Sequence, residues 1–234
     1  MNKISSINKL LIKKFGIPPR AKDLPKPIDL LIATILSQNT NDKNSYRAFL
    51  NLKLTYKNWE DVKNSEIKLI EDTIKIAGLG FQKANAIKNL LEELFKHEGN
   101  FDLENLQKFD ENDSINYLTN FKGIGVKTAS CVLLFSLDKN ICPVDTHVHR
   151  TLNRIGIVQT NSPEKTFYQI NTNLPKGIAH ALHTNLIRLG REICKPKNYK
   201  CSICPIEKIC EFTQKNFELI ENSKQNNFML LDNV

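Results

Sequence analysis

The sequence predicts an all-α fold, and three observations support that prediction. Apolar residues recur at spacings of three and four through most of the chain, which is the period of an amphipathic helix. We find no segment that alternates strictly between apolar and polar residues and no Asn-Gly hairpin turn, so strands are not predicted. Of the 234 residues, 41% are apolar and 25% are charged, which is enough apolar material to bury a core.

The elements can be placed in chain order from the positions of apolar residues and helix breakers. The first helix is predicted from Ile4 and ends before Pro18, because proline cannot continue a helix. A second helix is predicted after Pro27 and a third after Ser65-Glu66, each from apolar residues three or four apart. Further helices are predicted at 81–95, 112–120, 126–137, 145–155 and 178–189, within a total of roughly ten joined by short connections.

The charge balance indicates the kind of partner. The chain has 33 Lys and Arg against 25 Asp and Glu, a formal net charge of +8 with a pI of about 9.1. The whole excess falls within residues 121–210, which contain 13 basic and 5 acidic residues. Such an excess favours a polyanionic partner, with nucleic acid ahead of an anionic membrane surface.

Several protein classes are excluded by composition. The longest apolar runs, such as residues 30–36, are far shorter than the roughly 20 residues of a membrane helix. The first six residues do not begin the apolar stretch of a secretory signal. Six cysteines in a chain of this length are too few for a disulfide scaffold. We therefore expect a soluble intracellular protein that does not bind membranes.

Glycine is scarce, yet four of the nine glycines lie in two Gly-x-Gly triplets, 78–80 and 123–125, each before a predicted helix. Glycine concentrated at helix entries indicates backbone shapes that side chains forbid. In the second triplet, Ile124 is expected to point inward while Gly123 and Gly125 let backbone N–H groups approach a phosphate at the helix N-terminus. A plain corner between two helices is the alternative.

An acidic residue follows the second triplet. Asp145 comes after an apolar stretch and opens a predicted helix that carries His147, His149 and Arg150. Taken alone, Asp145 is most simply the N-cap of that helix. His149 is expected to face solvent, and the pair His180 and His183 is expected to be surface or packing residues.

Four cysteines form a tight group near the end of the chain. Cys194, Cys201, Cys204 and Cys210 give the spacing C-x6-C-x2-C-x5-C, which in an intracellular protein predicts a metal site. The chemistry alone leaves zinc and a [4Fe–4S] cluster open, since both accept four thiolates. The other two cysteines, at positions 131 and 142, lie in apolar context and are expected in the core.

Together these motifs resemble the helix-hairpin-helix (HhH-GPD) DNA glycosylases, a superfamily named for a hairpin glycine, a following proline and an aspartate. The corresponding residues here are Gly123 or Gly125, Pro143 and Asp145. Within that superfamily the sequence is most similar to endonuclease III, over roughly residues 27–212. The resemblance also covers Leu36 to Asp42, Gly78-Leu79 and the cysteine spacing.

The resemblance implies a two-lobed all-α architecture. Residues 20–139 would form a six-helix barrel domain that contains the helix-hairpin-helix. Residues 1–19 and 140–212 would form an iron–sulfur domain, in which the four cysteines hold a [4Fe–4S] cluster. This cluster would position the loop between the cysteines and would not undergo redox turnover at the base. Residues 213–234 would be a polar C-terminal tail.

The resemblance also implies a reaction, namely a bifunctional DNA glycosylase/AP lyase of base excision repair. Such an enzyme removes oxidised pyrimidines, such as thymine glycol, and then cleaves 3′ of the abasic site. Asp145 would stabilise a cation-like sugar, and Lys127 would be the amine that forms a Schiff base, the two facing each other across a DNA groove. The alternatives are a monofunctional mismatch or uracil glycosylase and a noncatalytic iron–sulfur DNA-binding protein.

The expected partner is double-stranded DNA with a damaged base or an abasic site, bound by a cytoplasmic, nucleoid-associated monomer. A flipped base leaves a gap that a side chain must fill. Asn39 occupies the position where the family carries an inserting glutamine, and neighbouring Gln38 is the other candidate. Leu79 resembles the family's apolar wedge. The alternatives are purely structural roles, namely a polar helix end for Gln38-Asn39 and a core position for Leu79.

Further DNA contacts are expected from the hairpin, from the helix that Asp145 opens and from the loop between the first two cysteines. That loop carries three lysines, and a rigid basic loop suits phosphate contacts. These expected contacts are Lys122, Gly123, Ile124, Gly125, His147, Lys197 and Lys200.

Overall fold

The computed structural model describes residues 2–218, so most of the expected polar tail, from residue 219 onward, lies outside the described residues. Within the described range the secondary structure is helical without strands, which confirms the all-α prediction. Its eleven α-helices are α1 (Lys3–Phe15), α2 (Pro27–Ser37), α3 (Asp42–Thr55), α4 (Trp59–Asn64), α5 (Ile67–Ile74), α6 (Gly80–Glu98), α7 (Glu111–Thr119), α8 (Val126–Phe135), α9 (Thr146–Ile155), α10 (Pro163–Thr172) and α11 (Ala179–Arg188).

The eight helices that the sequence analysis placed are all present. Two of their starts lie where the sequence predicts them, with Pro27 at the first position of α2 and Glu66 just before α5. Helix α1 ends at Phe15, before the predicted stop at Pro18, because Gly16 caps it. Three helices, α3, α4 and α10, had not been placed individually. Each of the three begins behind a side chain that accepts a hydrogen bond from the first turn, namely Asn41, Asn58 and Ser162.

The described residues divide into two compact units. One unit comprises residues 21–139, and the other comprises the residues up to 20 together with those from 140 onward. None of the described helices combines the length and apolar character that crossing a membrane requires.

The unit of residues 21–139 contains α2 to α8 and is built around α2. Nine of the eleven α2 residues are buried, because this helix is apolar on all sides. It packs against α3, α6 and α8. At the start of α2, Asp29 accepts a hydrogen bond of 2.7 Å from the indole N–H of Trp59, which attaches α4 to the same core.

The second unit contains α1 and α9 to α11. Helix α1 packs against α11, whose side chains close its C-terminus: Asn185 donates to the Gly16 carbonyl at 3.1 Å and Arg188 to the Phe15 carbonyl at 2.9 Å. These bonds satisfy carbonyl groups that a helix end leaves without partners. At the other end of α1, the Lys3 ammonium donates to the Ile155 carbonyl at 3.0 Å.

Irregular segments complete this unit. After α11 the chain continues as a π-helical turn, Leu189–Ile193, and then forms two short 3-10 turns, Cys201–Ile203 and Glu207–Ile209. The described start of the expected tail is attached to this region. Lys215 donates to the Glu207 carboxylate at 3.0 Å, and the Asn216 carbonyl accepts from the Cys201 N–H at 2.9 Å.

Candidate functional site

The turn between α7 and α8 is held from its buried side. The Ile124 side chain is 4% exposed, as predicted, and its backbone N–H donates to the Phe121 carbonyl at 3.0 Å. Because both groups are used inside the protein, Ile124 shapes the turn and does not offer a side chain to a ligand. The exposed residues of the turn are Lys122, Gly123 and Gly125.

The two glycines of this turn serve different purposes. Gly123 has a φ of +89°, a conformation that side chains rarely adopt. Gly125 has an ordinary φ of −92°, and a Cβ added to it would meet no atom within 4 Å. Neither strain nor packing therefore calls for glycine at position 125. Its bare backbone leaves the N-terminus of α8 open, without a side-chain cap, which is an arrangement that suits an anion.

Lys127 lies in the first turn of α8, beside that open N-terminus. Its side chain is exposed, and no described acidic side chain forms an ion pair with it. Its own carbonyl accepts a hydrogen bond of 3.0 Å from the Ser130 hydroxyl, which belongs to the buried face of the helix. The helix therefore fixes the backbone of Lys127 while its amine remains accessible.

Asp145 is the N-cap of α9, as the sequence predicts. One carboxylate oxygen accepts a hydrogen bond of 2.8 Å from the Val148 N–H, and Val148 is fully buried. This bond orients the carboxylate relative to the helix, and the second oxygen accepts no hydrogen bond from the described residues.

His147 lies one turn from Arg150 on α9. An Arg150 N–H is 3.2 Å from His147 Nδ1, and since arginine only donates, Nδ1 is the acceptor. Burial lowers the pKa of His147, while the neighbouring Asp145 charge acts in the opposite direction. An interaction with the Gly190 backbone also favours the protonated ring.

The turn after α11 lies very close to α9. A Cβ added to Gly190 would lie 2.8 Å from the Cβ of His147, which is closer than real side chains approach. Arg150 also donates to the Gly190 carbonyl at 2.9 Å and to the Cys194 carbonyl at 3.1 Å. The helix that carries Asp145 is thus joined to the segment that leads into the cysteines.

The other histidines were only partly predicted. His149 was expected to face solvent, and this was wrong: it is partly buried, its Nδ1 lies 2.7 Å from the Thr166 hydroxyl, and burial lowers its pKa. Helix α10, which was not placed from the sequence, covers it. The prediction that His183 is a packing residue is confirmed, since it is 2% exposed and bonds to the Pro143 carbonyl at 2.9 Å.

The four grouped cysteines line one cavity together with Arg154, Tyr199 and Phe212. Within residues 2–218, no three His, Cys, Asp or Glu side chains are placed to hold a metal ion. Burial, with a further contribution from the three other thiols, raises the pKa of Cys204 to about 12. Burial also raises the pKa of Cys210. A bound cationic group would stabilise four thiols around one cavity as thiolates. The two remaining cysteines are fully buried, as predicted.

Arg154 connects α9 to this cavity, and the sequence analysis did not identify it. Its guanidinium donates to the Lys195 carbonyl at 2.7 Å and to the Cys194 sulfur at 3.4 Å. It packs against the rings of Tyr199 and Phe212, whose centroids lie 4.8 and 4.6 Å from the guanidinium carbon. The available signal was its spacing of four from Arg150, which places both arginines on one face of the helix.

The lysines of the loop between the first two cysteines differ in exposure. Lys197 is exposed, as a phosphate contact requires. Lys200 is only 8% exposed and lines the cysteine cavity, so its expected role as a phosphate contact does not fit the structure. Its neighbour Tyr199 stacks beneath Arg154, and this packing draws the end of the loop inward.

The two candidate insertion segments share an unusual backbone. Gln38, Asn39 and Leu79 are all exposed, with Leu79 at 50%, so the alternative of a core position for Leu79 is wrong. Asn39 and Leu79 each have a φ of +51°. A left-handed conformation costs an ordinary residue about 1–2 kcal/mol, and strain of this kind concentrates at functional positions.

Comparison with known proteins agrees with this arrangement. A family model described as the HhH-GPD superfamily base excision DNA repair protein matches residues 32–176. Endonuclease III of Thermotoga maritima is 32% identical over 212 residues, which cover 91% of this chain and 94% of that protein. A protein of Arabidopsis thaliana named as a candidate DNA glycosylase is 39% identical over 178 residues, 73% of this chain and 61% of that protein.

Solved structures show the same fold. A trapped covalent intermediate of endonuclease III with DNA aligns with a TM-score of 0.73 at 24% identity, covering 90% of this chain and 97% of that chain. A thermostable thymine-DNA glycosylase aligns with a TM-score of 0.72 at 22% identity, covering 89% of this chain and 94% of that chain.

Proposed function

Since the chain belongs to the HhH-GPD superfamily and is an endonuclease III-like DNA glycosylase of base excision repair, we propose that it removes oxidised pyrimidines, such as thymine glycol, and then cleaves the abasic site as a lyase. The observation that carries the lyase part is the exposed amine of Lys127 in the first turn of α8. We further propose that the protein acts on double-stranded DNA as a monomer.

The first step breaks the bond between C1′ of the sugar and the damaged base. Positive charge develops on the sugar as the base leaves with the bonding electrons and acquires a proton. A nearby carboxylate stabilises such a charge, and Asp145 supplies one whose orientation is fixed by the Val148 N–H. Asp145 is the residue that we assign to this role.

The second step uses Lys127. Its neutral amine bonds to C1′, the sugar ring opens, and a protonated Schiff base results. Loss of a proton from C2′ then expels the 3′ phosphate by β-elimination, and water releases the unsaturated sugar from the lysine. An amine engaged in an ion pair would be a poor nucleophile, whereas Lys127 has no such partner among the described acidic residues.

The DNA backbone would be bound at the hairpin. The uncapped N-terminus of α8 and the exposed Lys122, Gly123 and Gly125 offer N–H groups and positive charge to a phosphate. Lys197 adds a second positive contact from the loop between the cysteines. His147, in the first turn of the helix that Asp145 caps, would be a further DNA contact.

Filling the gap left by the flipped base is assigned to the exposed segments Gln38-Asn39 and Leu79. An amide side chain can replace the hydrogen bonds of the lost base, and an apolar side chain can support the opposite strand. Both segments are exposed and held in shapes that side chains seldom adopt, which supports this assignment.

We also propose that Cys194, Cys201, Cys204 and Cys210 hold a [4Fe–4S] cluster. The four thiols line one cavity, and four thiolates are the donor set that such a cluster takes. The group would supply a rigid cross-link within its unit. Arg154 and Arg150, which both lie on α9, would fix that helix to the cluster through their bonds to Cys194.

A panel of duplexes tests this proposal, each carrying one lesion: thymine glycol, uracil, a mismatched thymine, oxidised guanine or an abasic site. We expect excision of thymine glycol and strand cleavage without added base. Excision of uracil or thymine with strand breaks only after alkali would instead identify a monofunctional glycosylase. Binding to abasic DNA without any reaction would indicate a noncatalytic protein.

A further inference from the structure

Helix α6 contains a buried lysine without an acidic partner. Lys83 is only 3% exposed, and no described carboxylate is bonded to it. Its ammonium donates instead to two backbone carbonyls, those of Leu36 and Ala77, both at 2.8 Å. A buried charge held only by carbonyl groups is unusual, because lysine is seldom buried unless it is paired.

The two carbonyls lie at equivalent places in the chain. Leu36 is in the last turn of α2, two residues before Gln38, and Ala77 ends a 3-10 turn, two residues before Leu79. Carbonyls at helix ends lack intrahelical partners and form the negative end of the helix dipole, so an ammonium group suits them. Lys83 therefore joins the bases of the two candidate insertion segments through one atom.

A third bond strengthens this connection. The backbone N–H of Lys83 donates to the Leu79 carbonyl at 3.0 Å, the ordinary first bond of α6, so this one residue bonds to the carbonyls of both Ala77 and Leu79. Asn39 and Leu79 are two of the four non-glycine described residues with positive φ, the others being Asp138 and Asn198. Such shapes persist only where surrounding structure enforces them.

We infer that Lys83 is a positioning residue, which fixes the spacing between the Gln38-Asn39 and Gly78-Leu79 segments so that both can enter the duplex at the lesion. This inference rests on the proposed function, in which these segments occupy the gap left by a flipped base. Burial lowers the pKa of Lys83, as expected for a charge that exchanges water for two carbonyl groups.

The inference predicts a defect that depends on the DNA and not on the chemistry. Lys83→Met keeps the length of the side chain but removes its charge and its N–H donors. Opening a duplex requires both segments, whereas an abasic site in single-stranded DNA has no stack to open. We expect the single-turnover rate on a thymine glycol duplex to fall about tenfold or more relative to the rate on the single-stranded abasic site.

Lys88→Met is the matched control on the same helix. Lys88 also holds a backbone carbonyl, that of Ser65 at 2.6 Å, but this carbonyl lies in neither segment. The control should lose some stability and keep the wild-type ratio of duplex to single-strand rates. Equal ratios in Lys83→Met, Lys88→Met and the wild type would overturn the inference, because Lys83 would then be only a structural residue.

A second variant and a second readout complete the test. If Lys83→Met does not fold, Lys83→Gln, which keeps two N–H donors without the charge, should show a smaller fall in the same ratio. Fluorescence of 2-aminopurine beside the lesion reports unstacking without cleavage. Suppose that the wild type unstacks the duplex, that Lys83→Met does not, and that neither protein cleaves DNA. This result would refute the proposed lyase and support the positioning role.

Discussion

The Asp145 carboxylate accepts a hydrogen bond of 2.8 Å from the N–H of Val148 and thereby caps the helix that follows it. The same side chain is the proposed catalytic carboxylate. Its structural bond needs only an oxygen acceptor, whereas stabilising a cationic sugar needs a negative charge. The two contributions are therefore separable by substitution.

Asp145→Asn should retain the cap and lose the reaction. An asparagine oxygen accepts the Val148 N–H equally well, so the thermal midpoint should stay near that of the wild type. Base excision should fall by about 100-fold or more, since the charge is gone. Asp145→Ala should lose both, with about 1 kcal/mol less stability. Denaturation curves and single-turnover excision would measure the two effects. Equal excision by wild type and Asp145→Asn would contradict the assignment.

Lys127→Gln should abolish the covalent adduct that borohydride traps on abasic DNA, because an amide cannot form a Schiff base. Lys122→Gln is a suitable control, since Lys122 is an exposed lysine of the same hairpin. It should bind DNA more weakly and still be trapped. Gel analysis of the reduced adduct gives the result, and trapping that persists in Lys127→Gln would place the nucleophile elsewhere.

Cys204→Ser should remove the iron that we assign to the four cysteines. The purified wild-type protein is expected to be brown, with about four iron and four sulfide per chain. Cys131→Ala changes a fully buried cysteine outside the group and should keep the colour despite lower stability. Iron analysis and visible absorption would decide, and stoichiometric zinc in the wild type would refute the cluster.

Lys197→Glu should weaken duplex binding and make it less dependent on salt. The slope of log binding constant against log salt concentration should fall by about one for the phosphate contact removed. Lys57→Glu makes the same charge change at an exposed lysine outside residues 121–210 and should have little effect. Titrations at several salt concentrations provide the measurement. Lys200→Glu, in contrast, should mainly lower stability because the residue is buried. Matching losses in Lys197→Glu and Lys57→Glu would exclude a specific role for the loop.

Acid should destabilise the protein through His149. Burial holds its pKa below the ordinary 6.5, so below that pH the unfolded chain binds a proton more readily than the folded chain does. The contribution of neutral His149 to the free energy of unfolding is therefore complete above pH 6.5. It is lost as the pH falls toward the lowered pKa, by at most about 1.4 kcal/mol per pH unit. His147 acts in the same direction. His149→Gln should flatten the loss measured by urea unfolding, whereas exposed His97→Gln should not.

Local features of the sequence predicted the shape of the hairpin turn and the cap of α9. The hairpin depends on glycine spacing and on Ile124, and the cap depends on Asp145, so each follows from a few adjacent residues. Helices α3, α4 and α10 were harder to place, because their polar faces weaken the apolar period. In α3, the buried residues Ser45, Ala48, Phe49 and Leu52 nevertheless have helical spacing.

Tertiary contacts explain the errors. The exposure of His149 is decided by a hydroxyl on α10, and that of Lys200 by the cavity it lines. Lys83 and Arg154 were missed as organising residues for a different reason. Their main partners are backbone carbonyls, and a carbonyl has no signature in the sequence.

The discontinuous unit has a consequence for synthesis. Helix α1 is made long before its packing partner α11, which begins only at Ala179. The whole of residues 21–139, which form their own compact unit, is made in between. Domains generally fold as units in the order of their synthesis. The apolar face of α1 therefore lacks this partner until α11 has been made, so this unit cannot complete its fold strictly in the order of its synthesis.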